Sequence, residues 1–187
     1  MDIRSRIIKA CRELALKHGL HGFTMDSLAL QAGVSKRTVY RYFDSKANVI
    51  EATLDDFMQS AAAEVQLILA REQNPAAYFN ALLNYLFTRG QFLINTSTLN
   101  DLRIYYPHLW NKIDAFRLSQ LRKVLNQLIA NNPSLRHDID PRVLAAVLTA
   151  VIQNVLNPDF ILENNLTFEE TARQLSLIFS TFLTPQQ

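Results

Sequence analysis

The residues best suited to chemistry with an outside partner are the cations and aromatics of residues 36–42, Lys-Arg-Thr-Val-Tyr-Arg-Tyr. If this stretch is a helix, Val39 faces inward, and the side chains of Lys36, Arg37 and Tyr40 project from its N-terminal half. Lys and Arg side chains only donate hydrogen bonds, and Arg can pair in bidentate fashion with O6 and N7 of guanine. The pattern therefore predicts that Lys36, Arg37 and Tyr40 read base edges in a DNA major groove.

Hydroxyl and ammonium groups near the same stretch could bind phosphate oxygens. The candidates are Thr24, Ser35, Thr38, Tyr42 and Lys46. Helices are predicted to begin near residues 25 and 46, and their N-termini would add backbone N–H groups and positive dipole ends. We therefore expect phosphate anchoring and base reading to fall to separate residues.

Positive charge is concentrated at the N-terminal end of the chain. Residues 1–50 contain nine Lys or Arg against four Asp or Glu, a net charge of +5, although the whole chain carries only +2. A localised positive field favours a polyanion as partner. A solvated helix surface would show the same excess, so charge alone leaves both interpretations open.

Two short predicted helices and a tight turn would position these groups. Thr24 is placed as the N-cap of the first helix, and Gly33 ends that helix after about two turns. Ser35 caps the second helix, which runs to Phe43. Small residues at the closest approach allow two such helices to cross steeply, so the sequence predicts a helix-turn-helix over residues 24–43.

The remainder of the chain also predicts helices and almost no strands. Apolar residues recur every three or four positions, and most helices begin at a capping residue, a proline or a capping box. Asn74-Pro75 and Asp140-Pro141 are two such starts, and Gly19 is expected to end the first helix. Besides the pair above, we predict helices over residues 3–17, 45–71, 76–92, 98–104, 107–130, 141–157 and 167–182. The expected fold is all-α with about nine helices. It comprises an N-terminal three-helix helix-turn-helix domain, residues 1–47, and a C-terminal helical dimerisation and ligand-binding domain, residues 48–187.

Several classes of protein are disfavoured. Cys11 is the only cysteine, which excludes a disulfide within one chain. The histidines, at positions 18, 21, 108 and 137, lack metal-ligand spacing, so we expect no metal and no other cofactor. The sequence contains no Gly-rich phosphate loop and no carboxylate pair set among apolar residues, and we therefore expect no enzymatic activity.

Targeting signals also look absent from the sequence. The N-terminus opens directly into an amphipathic pattern, and no apolar run approaches the roughly 18 residues that span a membrane. We therefore expect a cytoplasmic protein without a membrane partner.

The helix-turn-helix residues resemble the TetR family of transcriptional regulators. The resemblance covers roughly residues 5–55 and is carried by Thr24, Ala32-Gly33-Val34-Ser35, Thr38, Tyr40, Tyr42-Phe43 and Lys46. Arg37 stands where the family often has a small residue. The resemblance implies that the C-terminal domain dimerises through its last two helices and often holds a small-molecule effector.

The last two long helices can also be judged from their own residues. The helix after Pro141 is apolar over more than a narrow face, as a helix buried on two sides would be. The residues expected at a dimer interface are Val147, Val151, Val155, Leu175, Phe179 and Phe182. Two such helices from each subunit would form an isologous four-helix interface. The alternative is that they form ordinary core within one chain.

Aromatic residues are frequent between residues 78 and 116 and could line an effector pocket. The candidates are Tyr78, Tyr85, Tyr105 and Trp110. The alternative is that these rings simply fill the core between helices.

Together these features predict a sequence-specific DNA-binding transcriptional regulator, more specifically a repressor. We expect it to bind double-stranded DNA at a palindromic operator as a homodimer and to be released by a small-molecule effector. The alternative is a DNA-bound structural or cell-division factor of the same fold that needs no effector.

Overall fold

The structure, a computed structural model, describes residues 2–72, 75–131 and 139–183. The predicted all-α class is confirmed, since these ranges contain eleven helices and no strand. None of the helices in them is both long and apolar enough to cross a membrane. The helices are α1 (Ile3–His18), α2 (Met25–Ala32), α3 (Lys36–Tyr42), α4 (Lys46–Arg71), α5 (Pro75–Arg89), α6 (Gln91–Ile94), α7 (Thr96–Tyr105), α8 (Pro107–Asn131), α9 (Pro141–Val155), α10 (Pro158–Glu163) and α11 (Phe168–Leu183).

Side-chain caps begin the helices where the sequence predicted them. The hydroxyl of Thr24 accepts a hydrogen bond from the backbone N–H three residues later at 3.2 Å, and Ser35 and Ser45 do the same at 3.0 and 3.2 Å. Asp140 caps α9 ahead of its proline, and Thr167 accepts from the third N–H of α11 at 3.1 Å. These caps satisfy backbone N–H groups that have no partner within the helix.

Glycines end the first two helices, as predicted. Gly19 follows α1 with φ 71°, and Gly33 follows α2 in the left-handed conformation with φ 64° and ψ 40°. Side chains rarely adopt this conformation, so glycine lets the chain reverse direction there at little cost.

Two short helices were not predicted. The helix expected over residues 76–92 ends at Arg89, because Gly90 interrupts it before α6 begins. Helix α10 begins at Pro158, and the side chain of Asn157 accepts the N–H of Asp159 at 2.9 Å. An Asn or Asp before proline was a start signal elsewhere in this chain, so α10 could have been found in the same way. The cap expected at Asn74 lies outside the described residues.

The chain divides into two compact units. The first comprises Met1–Ser60 and Arg89–Asp114, and in it α1 packs against α2, α6 and α7. It therefore contains more than the segment 1–47 that we predicted to bind DNA. The core of this unit is built from apolar side chains that include Ile7, Cys11, Leu28, Val39, Ile50 and Leu54.

The second unit comprises Ala61–Thr88 and Ala115–Gln187. One buried cluster in it joins α5, α8, α9 and α11 through Leu83, Leu125, Leu148, Leu156, Ala172 and Leu175. A second cluster joins the end of α4 to α5 and α8 through Val65, Ile68, Leu69, Tyr78 and Val124. Arg117 of α8 donates to the carbonyl of Leu156 at 2.6 Å and so places a cation at the C-terminal end of α9, where the helix dipole favours positive charge.

Candidate nucleic-acid interface

Hydrogen bonds within the turn and from α1 hold the turn between α2 and α3. The N–H groups of Gly33 and Val34 donate to carbonyls of α2 at 3.0 Å each. Arg6 of α1 donates to the carbonyls of Ala32 and Gly33 at 2.8 and 2.9 Å. These bonds fix the turn and hence the direction in which α3 leaves it.

Helix α3 has one buried side and one open side. Val39 is fully buried, whereas Lys36, Arg37 and Tyr40 are exposed. The sequence assigned base reading to these three residues, and the structure brings all of them to the solvent-facing surface of α3. Their actual contacts with bases stay a prediction.

The exposed side chains of α3 differ in how strongly they are held. Lys36 forms an ion pair with Asp26 of α2 at 2.8 Å, and this hydrogen bond raises the pKa of the lysine. The guanidinium of Arg41 lies over the ring of Tyr42, 5.5 Å from its centroid. Arg37 makes no hydrogen bond or ion pair with any residue that the structure describes, so it can turn toward DNA without losing such a bond.

Two of the hydroxyls predicted to bind phosphate also cap helices. Thr24 caps α2, while Ser35 caps α3 and lies 2.8 Å from the hydroxyl of Thr38. A hydroxyl that accepts a backbone N–H keeps its own proton and can still donate it to a phosphate oxygen. Tyr42 is exposed at the end of α3. Phosphate binding by these residues stays a prediction.

Lys46 has a role within the protein that the sequence did not reveal. Its ammonium group donates to the carbonyl of His21 at 2.8 Å and to that of Phe23, and it lies 4.2 Å from the centroid of the Phe23 ring. Burial lowers the pKa of Lys46, and the negative charge of Asp101 opposes that shift. Two of the three ammonium protons are thereby used, which leaves one for the predicted phosphate contact.

Helix α7 holds the loop between α1 and α2. The carboxylate of Asp101 accepts the backbone N–H of His21 at 2.8 Å, and the His21 ring stacks on Tyr105 with centroids 4.0 Å apart. Gly19 leaves room for this contact, because a Cβ there would lie 2.5 Å from the Asp101 carboxylate. Tyr105, which was predicted to line a pocket, is 51% exposed and covers this loop, and effector binding by it stays a prediction.

The other three aromatics proposed for an effector pocket are at least partly buried. Tyr78 is 1% exposed, and Tyr85 and Trp110 are half-buried. Tyr78 and Tyr85 belong to the second compact unit and Trp110 to the first. Effector binding by these residues stays a prediction.

The residues predicted at a dimer interface differ in their burial. Val147 is 53% exposed, whereas Val151 and Val155 are half-buried against the subunit's own core. Leu175 is only 2% exposed, so its assignment to the interface is corrected: it packs within the subunit. The side chains of Phe179 and Phe182 lie outside the described residues. Three further exposed apolar residues lie on the same two helices, Val143, Leu177 and Ile178.

The described residues offer no group of three or more His, Cys, Asp or Glu that could hold a metal ion. Cys11 is buried in the first unit, and burial raises the pKa of its thiol to about 11. A thiol that stays protonated at neutral pH is a poor nucleophile, so Cys11 belongs to the packing of α1.

Comparisons with known proteins agree with the geometry of α2 and α3. The family model for bacterial regulatory proteins of the tetR family matches residues 7–53. The chain is 30% identical over 163 residues to the uncharacterized HTH-type transcriptional regulator YvaF of Bacillus subtilis, covering 82% of this chain and 81% of the relative. It is 27% identical over 161 residues to the nucleoid occlusion factor SlmA of Photobacterium profundum, with 82% of each chain covered.

Solved structures share the fold. The transcriptional regulator FadR from Bacillus subtilis, solved in complex with stearoyl-CoA, has a TM-score of 0.66 at 15% identity and covers 96% of this chain and 99% of its own. Regulators of the TetR family bind DNA as dimers and respond to small-molecule effectors. The chain belongs to the TetR family of bacterial regulatory proteins, and it is a DNA-binding transcriptional regulator.

Proposed function

We propose that this protein is a homodimeric repressor that reads a palindromic operator through α3. The observation that carries the proposal is the open side of α3, where Lys36, Arg37 and Tyr40 stand opposite the buried Val39. We assign DNA binding to residues 1–47. Phosphate anchoring falls to Thr24, Ser35, Thr38, Tyr42 and the remaining N–H of Lys46. The protein acts by binding rather than by catalysis, and since its target is DNA we place it in the cytoplasm.

Dimerisation is assigned to α9 and α11, within residues 48–187. Val143 and Val147 on α9 and Leu177 and Ile178 on α11 are 47–58% exposed in the single chain. Large apolar side chains grouped on two helices are typical of a surface that a second copy covers. A two-fold symmetric dimer presents two identical recognition helices, and this symmetry is why the operator is expected to be a palindrome.

Release from DNA is assigned to a small molecule bound in the second compact unit, near Tyr78 and Tyr85. A regulator of the same fold holds stearoyl-CoA, which supports a ligand with a large apolar part. An effector can release DNA only if it binds the DNA-incompetent conformation more tightly than the DNA-bound one.

The decisive experiment is selection of binding sites from a random DNA pool, followed by affinity measurements on the selected site. We expect a palindrome whose half-sites contain at least one G·C pair. A half-site alone should bind much more weakly, and affinity should fall steeply with salt, by about 0.9 in log–log slope for each phosphate neutralised. Selection of no common sequence, or equal affinity for full and half sites, would contradict the proposal.

A second candidate function is suggested by the relative named nucleoid occlusion factor. In that case the protein would occupy many chromosomal sites and need no effector. Genome-wide occupancy separates the two functions, because a repressor is expected at one or a few promoters and a chromosome-associated factor at many dispersed sites.

A further inference from the structure

Tyr78 carries a buried hydroxyl that no described residue satisfies. The residue lies on α5 and is 1% exposed. Its ring packs in the cluster formed with Val65, Ile68 and Leu69 of α4 and Val124 of α8. The hydroxyl oxygen is enclosed and makes no hydrogen bond with any described residue.

A buried hydroxyl without a partner is unfavourable, and such groups are rare in folded proteins. Phenylalanine would fill the same space among these apolar side chains without that cost. A tyrosine in this position therefore indicates a partner outside the described residues, and a bound molecule would supply one. Because the hydroxyl is buried, the polarity of the side chains around it limits which molecules could bind there.

The apolar cluster around Tyr78 favours an uncharged partner. The other side chains of this cluster are apolar, and burying a charge among them without a counter-ion would be costly. Burial also raises the pKa of the Tyr78 phenol, so the hydroxyl stays protonated and can donate a hydrogen bond. A carbonyl oxygen on an otherwise apolar molecule matches both conditions.

We propose that Tyr78 is the polar anchor for the effector, and that the effector is an uncharged, mainly apolar molecule with a carbonyl oxygen, in the class of ketones, esters and thioesters. The proposal rests on the effector site of the proposed function and specifies its ligand. Since the hydroxyl is enclosed, the ligand enters a conformation in which α5 has moved from α4 and α8, and its binding stabilises that conformation. Helix α4 continues from this cluster into residues 46–60 of the first compact unit.

The first test is the thermal stability of Tyr78→Phe without ligand. If the hydroxyl is unsatisfied, its removal raises Tm by a few degrees for a chain of this size. Tyr106→Phe is the matched control, because Tyr106 is a half-buried tyrosine outside this cluster and its loss should not raise Tm. A lower Tm for Tyr78→Phe would show that the hydroxyl already has a partner, such as an enclosed water, and would overturn the proposal.

The second test uses acetophenone and ethylbenzene, which have similar size and differ by the carbonyl oxygen. Calorimetric titration should show that Tyr78→Phe weakens acetophenone binding about three- to tenfold, the range expected for one hydrogen bond, and leaves ethylbenzene binding unchanged. An equal effect on both probes, or binding of neither at millimolar concentration, overturns the anchor.

Operator binding by the unaltered protein is measured on the same preparations. Its failure counts against the proposed DNA regulator, and the two Tyr78 tests still decide the anchor. The failures of the two proposals can therefore be told apart.

Discussion

The ammonium group of Lys36 lies 2.8 Å from a carboxylate oxygen of Asp26, which joins the first turn of α3 to the first turn of α2. Both side chains remain at least half exposed, so water and salt screen the pair and it contributes little to folding. The pair bears on the proposed DNA binding, because the carboxylate neutralises a cation that we expect to read a base. If Lys36 does so, DNA has to compete with Asp26 for it.

Removing that competition should tighten DNA binding. We expect Asp26→Asn to raise operator affinity several-fold, since it frees the ammonium group of Lys36 from its ion pair. Fluorescence anisotropy at several salt concentrations measures the effect. The gain should vanish when Lys36→Ala is added, because the two changes act through one pair. If Asp26→Asn weakens binding instead, the pair serves to position Lys36.

The features that sequence analysis predicted here are mostly local. The caps at Thr24, Ser35 and Ser45 each depend on a backbone group three residues away. The need for glycine at position 33 depends only on the left-handed conformation of that residue. Local rules of this kind hold wherever the helix forms, so the start of α3 and its exposed residues followed from the sequence.

Contacts between distant residues could not be predicted in the same way. Lys46 binds the carbonyl of His21 from 25 positions away, and Asp101 binds the N–H of the same residue from 80 positions away. No spacing rule connects such positions, because they meet only after the helices have packed. For the same reason the burial of Leu175 and the exposure of Tyr105 became evident only from the structure.

Gly33 is expected to tolerate no side chain without a loss of DNA binding. In Gly33→Ala the left-handed φ costs about 1 kcal/mol, and the new Cβ would lie 2.9 Å from Nη2 of Arg6. Arg6 would have to shift and give up a carbonyl of the turn. We expect a lower free energy of unfolding in urea, because the backbone is strained. We also expect weaker operator binding, because the start of α3 moves.

A double-mutant cycle separates the backbone strain at Gly33 from the contact of the new Cβ with Arg6. In an Arg6→Ala background, Gly33→Ala should cost only the backbone strain, so the combined loss should be smaller than the sum of the single losses. If the two losses of stability simply add, the new methyl group does not displace Arg6.

Val147→Glu should separate the dimer into folded monomers. Val147 is 53% exposed in the single chain, so a charge there leaves the subunit core intact but is costly inside an interface. Leu67→Glu is the control, because Leu67 is 65% exposed on α4, outside the proposed interface. Sedimentation should show monomers for the first variant and dimers for the second. A dimeric, folded Val147→Glu would remove this face of α9 from the interface.

Arg37 of α3 forms no hydrogen bond or ion pair with any described residue. Two roles are possible for it and they have different consequences. If it reads a base, Arg37→Ala should cost about 1–3 kcal/mol of operator affinity and relax the preference at one position of the half-site. If it binds a phosphate, the same change should weaken every site alike and lower the salt slope by about one. We expect the first result, with guanine as the base read, because the side chain projects from the first turn of α3 and is not held by a protein contact. Selection from a random DNA pool with Arg37→Ala beside the unaltered protein decides the question. Tyr42→Phe provides the comparison, since loss of a phosphate contact should leave the selected sequence unchanged, and the same outcome for Arg37→Ala would remove Arg37 from the base-reading residues.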